Sequence, residues 1–118
     1  MSNKREGKTI MTFVLKDKEY LPLKINSVEN GVDLSDLLHK IVSNSYEYKN
    51  HYAPIKDLKP ITNARQKRKK DGFNQTNIFA DKIFNQKIKV MALINNTSGA
   101  EILRHIVVKY SPKLPSLL

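Results

Sequence analysis

From Leu34 onward the apolar side chains fall at Leu34, Leu37, Leu38, Ile41, Val42, Tyr48 and Tyr52. That is helical spacing, and Asp36, Lys40 and Glu47 lie elsewhere on the wheel. Asn30-Gly31 marks a turn before the run, and Asp33 is a good N-cap. Pro54 disfavours helical geometry in Ala53, so the spacing predicts one helix ending by residue 53. A stripe this long is stable only if other elements cover it, so the chain must build a core around this helix.

The segment upstream supplies a first candidate cover. Thr9–Leu15, TIMTFVL, is β-branched and apolar, and KDKE follows as a polar turn. Tyr20–Asn26, YLPLKIN, alternates, with Leu21, Leu23 and Ile25 on one side and Tyr20, Pro22, Lys24 and Asn26 on the other. Two such runs with a four-residue connection predict an N-terminal β-hairpin. Pro22 cannot donate to a ladder, which makes the second strand an edge. An isolated hairpin is marginal in water, so its apolar face has to rest on helices.

Downstream, a second helix is predicted from Thr76, with Phe79, Ile83, Val90 and Ile94 on one stripe and Phe84, Ile88 and Met91 beside it. The capping box Ser98-Gly-Ala-Glu101 precedes Ile102, Leu103, Ile106, Val107 and Tyr110 on one helical face. The β-branched content of the same segment also allows a hairpin of residues 87–94 with 102–110 around NNTSG; helix is the preferred reading. The expected fold is therefore α+β: an N-terminal β-hairpin packed on two or three helices, with a long basic loop after the first. The expected organisation is a flexible basic stretch over 1–8, one domain over 9–111 and a tail over 112–118.

Charge is where the chain departs most from an average domain. The formal net charge is +10. Residues 9–55 carry five bases and six acids, whereas residues 56–118 carry thirteen bases and four acids. The excess belongs to the second half and peaks in NARQKRKKDGFNQT, where Arg65, Lys67, Arg68, Lys69 and Lys70 occupy five of six positions. This run lies in a connection between Pro54 and Phe73 that lacks sustained periodicity and is punctuated by Pro60 and Asp71-Gly72. Such asymmetry points to a polyanionic partner, because each phosphate neutralised by Lys or Arg releases condensed counterions.

The sequence thus nominates a non-catalytic binder of DNA or RNA. Arg65, Lys67, Arg68, Lys69 and Lys70 are the candidate phosphate contacts and Phe73 a candidate stacking residue, with Lys87, Lys89, Arg104 and Lys109 extending the patch if the fold brings them alongside. Tyr46, in the aromatic cluster YEYKNHY, is a further stacking candidate, whereas Tyr48 and Tyr52 are expected in the core. The alternative is a protein-interaction module binding an acidic partner surface, using the edge strand YLPLKIN for β-augmentation and the apolar tail LPSLL. A homodimer is compatible with either.

Several classes lack support. There is no cysteine, and His39, His51 and His105 show no metal-ligand spacing, so no metal or cofactor is expected. Phosphate-cradling glycine motifs and a nucleophile elbow are absent from the sequence. A small metal-free ribonuclease drawing on Glu101, Arg104, His105 and Tyr110 has the right residue types but no motif. MSNKREGK lacks the apolar stretch of a secretory signal, and no run approaches the roughly 18 apolar residues of a membrane span. A cytoplasmic protein is expected; KRKK also fits a nuclear-import pattern in a eukaryotic or viral setting.

Overall fold

A computed structural model of the chain describes residues 9–58 and 72–111. The fold is α+β. In chain order the elements are β1 (Thr9–Lys16), α1 (Asp17–Glu29), α2 (Leu34–Ser43), α3 (Tyr46–Lys49), β2 (Phe73–Ala80), α4 (Lys82–Ile94) and α5 (Gly99–Tyr110). The two strands pair antiparallel, from Thr9 opposite Ala80 to Lys16 opposite Phe73.

The predicted N-terminal hairpin is half right. Its first limb is β1, but its second limb is part of α1, and the strand that pairs with β1 comes from the second half of the chain. Helix wins over strand at Tyr20–Asn26 through its ends and its packing. Asp17 and Glu19 stand in the first turn, where they favour the positive end of the helix dipole. The Glu19 carboxylate accepts the Lys16 backbone N–H at 2.8 Å. At the other end, Gly31 takes φ +63° while its N–H donates to Val28 O and that of Val32 to Ser27 O, a Schellman closure. Between these ends Leu23 is fully buried. Pro22 sits inside the helix rather than on a sheet edge, and leaves the Lys18 carbonyl without its i+4 donor.

The predicted helix from Leu34 through Ala53 is divided. Asp33 is the N-cap of α2 as expected, but α2 ends at Ser43. The buried Ser45 hydroxyl donates to Val42 O at 2.6 Å and accepts the Tyr48 N–H at 3.1 Å, which starts α3 on a new axis. The break shifts the phase of the stripe. Tyr48 still reaches the core beside Phe84, at 5.3 Å between ring centroids, whereas Tyr52 is 73% exposed rather than buried.

The second predicted helix starts six residues later than expected. Residues 73–80 form β2, and α4 begins after Asp81, whose carboxylate caps the Phe84 N–H at 2.9 Å. Phe84, Ile88 and Met91 face inward, while Ile83, assigned to the leading stripe, is exposed. The final segment is a helix, as preferred: Ser98 Oγ accepts the Glu101 N–H at the start of α5. Residues 95–99 are not a hairpin loop but a second Schellman closure, with Asn96 at φ +52° and the Thr97 N–H donating to Ala92 O. Among the described residues there are thus four helices of ten residues or more, beyond the two or three expected.

One face of the β1–β2 ribbon carries Phe13, Leu15, Thr76, Ile78 and Ala80, all buried against helices. α5 packs along β1, α2 along β2, and α2 and α4 both meet α5. Ser35 at the start of α2 accepts the Phe79 backbone N–H at 2.9 Å, fastening that helix to β2. The predicted tail lies outside the described residues, as does most of the long basic connection. None of the described helices is long and apolar enough to cross a membrane.

Candidate nucleic-acid interface

Arg65, Lys67, Arg68, Lys69 and Lys70 lie outside the described residues. The described residues show what flanks that segment in the chain. On its N-terminal side Leu58 is half-buried against the core, and on its C-terminal side the Gly72 carbonyl accepts the Asp17 N–H at 3.0 Å. Phe73 is the next residue, partly exposed at the start of β2 and opposite Lys16.

The charges divide unevenly between these parts. Residues 9–58 and 72–111 hold eleven Lys or Arg and nine Asp or Glu, a net of +2. Residues 59–71 hold six bases and one acid, a net of +5 in 13 positions. The described residues are together nearly neutral, and half of the chain's excess falls within residues 59–71.

Lys87 and Lys89 lie on α4, and Arg104 and Lys109 on α5. Arg104 on α5 is mostly buried, and its guanidinium holds both Glu19 carboxylate oxygens, at 3.1 and 3.4 Å. Lys109, near the end of α5, is bonded to the buried Glu47 of α3 and also lies 5.4 Å from the Tyr110 ring centroid. Lys87 of α4 sits over the Tyr48 ring at 4.8 Å. Lys89 is exposed on the same helix. Ion pairing thus commits Arg104 and Lys109 to holding helices together, a role that sequence spacing does not reveal.

A cleft of about 630 Å³ is walled by α3, the 53–57 segment and α5. Tyr46, Lys56, His105 and Lys109 line it, together with Glu47 and Asp57. Burial would push the Glu47 carboxyl up, but bonds from Lys109 and from the Tyr110 hydroxyl, at 2.7 Å, outweigh it and hold the group below its ordinary value. Burial pushes His105 down, which favours the neutral imidazole, although Glu47 acts in the opposite sense. Burial and the bond to Glu47 push the Tyr110 phenol up. Tyr46 and Tyr52 are 65% and 73% exposed, and the His51 and Tyr52 rings stand 4.2 Å apart. Open aromatic faces therefore lie on α3 and the turn that leads toward residue 59.

The four residue types nominated for ribonuclease chemistry are split between two sides of α5. Glu101 and Arg104 line a groove against β1, whereas His105 lines the α3 cleft and Tyr110 is bonded to Glu47. Among the described residues no group of three or more His, Asp or Glu is arranged to hold a metal ion. No protein-family model, curated protein or solved structure matches the chain.

Proposed function

We propose that this protein binds DNA or RNA without catalysis, through phosphate contacts from the 59–71 connection. The observation that carries this reading is the charge partition: the described residues carry a net +2 and the 13 residues 59–71 a net +5. Solubility alone does not call for such concentration, whereas a polyanion is gripped best where like charges cluster. Arg65, Lys67, Arg68, Lys69 and Lys70 make the phosphate contacts, with Lys89 and Lys56 as exposed auxiliaries on the body. Tyr46 and Tyr52, exposed in the stretch that precedes residue 59, offer stacking faces for unpaired bases, with partly exposed Phe73 as the further candidate.

The test is a salt titration of binding to single- and double-stranded DNA and RNA of equal length. Affinity falls steeply with salt, and changing residues 67–70 to alanine lowers the log–log slope by about 3. Binding absent at low salt, or unchanged by that substitution, overturns the proposal. A preference for single strands that Tyr52→Ala removes identifies stacking; the same phosphate slope without that preference restricts the contact to the backbone.

The rival reading, a protein-interaction module, loses its edge strand, because YLPLKIN is helical. It gains a different feature from the same residues: an apolar face of α1 turned toward solvent.

A further inference from the structure

α1 has two apolar sides. Leu23 is fully buried and Ser27 nearly so, and these face the body. Leu21, Ile25 and Val28, with Val32 just past the Schellman turn, are 57%, 48%, 67% and 44% exposed. Within the helix, Leu21, Ile25 and Val28 are spaced four and three residues apart, as are the d, a and d seam positions of a two-stranded coiled coil. At 3.6 residues per turn these positions span an arc of about 60°. Leu23 lies well away from that arc, so one side chain set does not compete with the other.

The charges beside the stripe say what covers it. With Ile25 as an a position and Leu21 and Val28 as d positions, Lys24 falls at g and Glu29 at e. Both are exposed, and neither is in an ion pair among the described residues. We propose that this face is a self-association surface on which a second copy of the chain lays its own α1 in parallel.

In a parallel pair, the g residue of one helix faces the e residue five positions on in the other. Lys24 then meets Glu29 of the partner subunit, and two-fold symmetry forms the contact twice. An antiparallel pair would set Lys24 against Lys24 and Glu29 against Glu29. The charge pattern therefore selects the parallel arrangement. Lys18, one heptad before Ile25, closes the seam at the helix start, so the helical seam runs only from Lys18 to Val28 and the association is weak and concentration-dependent.

The chain has no cysteine, which makes a crosslinking test clean. Sedimentation of the full, nucleic-acid-free protein between about 10 and 500 µM resolves a monomer–dimer equilibrium. Ile25→Asp, at an exposed position and checked for an unchanged circular dichroism spectrum, abolishes it. Lys24→Glu or Glu29→Lys alone weakens it about tenfold, and the double exchange restores it. Under mild oxidation Val28→Cys gives a disulfide-linked dimer, whereas Lys40→Cys on α2 does not. A wild-type protein that stays monomeric throughout overturns the proposal, whether or not another protein covers the stripe. So does a dimer indifferent to Ile25→Asp, and a dimer whose charge exchange fails to restore association overturns the parallel geometry.

Discussion

α1 and α2 lie four residues apart and are both rich in leucine, isoleucine and valine, yet they are held in opposite ways. α2 puts Leu37, Leu38, Ile41 and Val42 inside, all at 2% exposure or less. α1 buries one large side chain, Leu23, and turns Leu21, Ile25 and Val28 outward. What α1 lacks in apolar burial it replaces with polar fastenings: Glu19 to Arg104 of α5, and Asp17 to Gly72 just before β2 and to Asn74 within it. A helix whose apolar residues serve one surface is fixed by the core. One whose apolar residues serve two is fixed by specific bonds and keeps a face free for something else.

If that contrast is right, the largest loss comes from emptying the α2 side. Leu38 is fully buried, and Leu38→Ala removes its transfer free energy and leaves a cavity, for a loss of about 2–5 kcal/mol. The measurement is the urea midpoint at an unchanged denaturant slope. A loss under 1 kcal/mol at that position would mean that α2 is not the anchor of the core.

The same contrast explains what the sequence discloses. The α2 stripe was legible because every apolar residue in it points one way, so its period is that of the helix. In α1 the residues Leu21, Leu23 and Ile25 alternate, and alternation is also the mark of a strand; only the burial of Leu23 against the exposure of its neighbours separates the two. β2 was hidden for a related reason. Its inward residues Thr76, Ile78 and Ala80 alternate, but Phe79 on the outer face breaks the pattern, and its partner strand lies more than 50 residues away. α5 was legible through its cap and single face. In the candidate interface, the basic cluster and its lopsided charge could be read directly. The commitment of Arg104 and Lys109 to ion pairs could not, since Glu19 and Glu47 lie 85 and 62 residues from them in sequence.

A second prediction tests the polar fastening. Glu19→Gln keeps the size of the side chain and removes its charge, leaving the mostly buried Arg104 guanidinium without its carboxylate. Its loss is about 2–3 kcal/mol, because breaking a buried pair from one side strands the other charge. Replacing both partners, Glu19→Gln with Arg104→Met, recovers part of that loss, since no uncompensated cation remains. If the double variant were no better than Glu19→Gln alone, α1 would be held by its apolar contact and not by the ion pair.

The smallest effect has the opposite sign. Pro22 lacks the N–H that would bond the Lys18 carbonyl, so α1 forms in spite of its own sequence at that point. Pro22→Ala restores the bond and a strong helix former, while giving the unfolded chain more freedom. The balance favours the folded state by about 1 kcal/mol, read as a higher urea midpoint. The equivalent gain is not available in α2, which has no interior proline. A destabilised Pro22→Ala protein would mean that the ring packs on the body or sets the course of α1, and that the exposed stripe depends on it. In that case the self-association of Pro22→Ala should fall together with its stability, whereas a stabilised variant should associate at least as tightly as the parent.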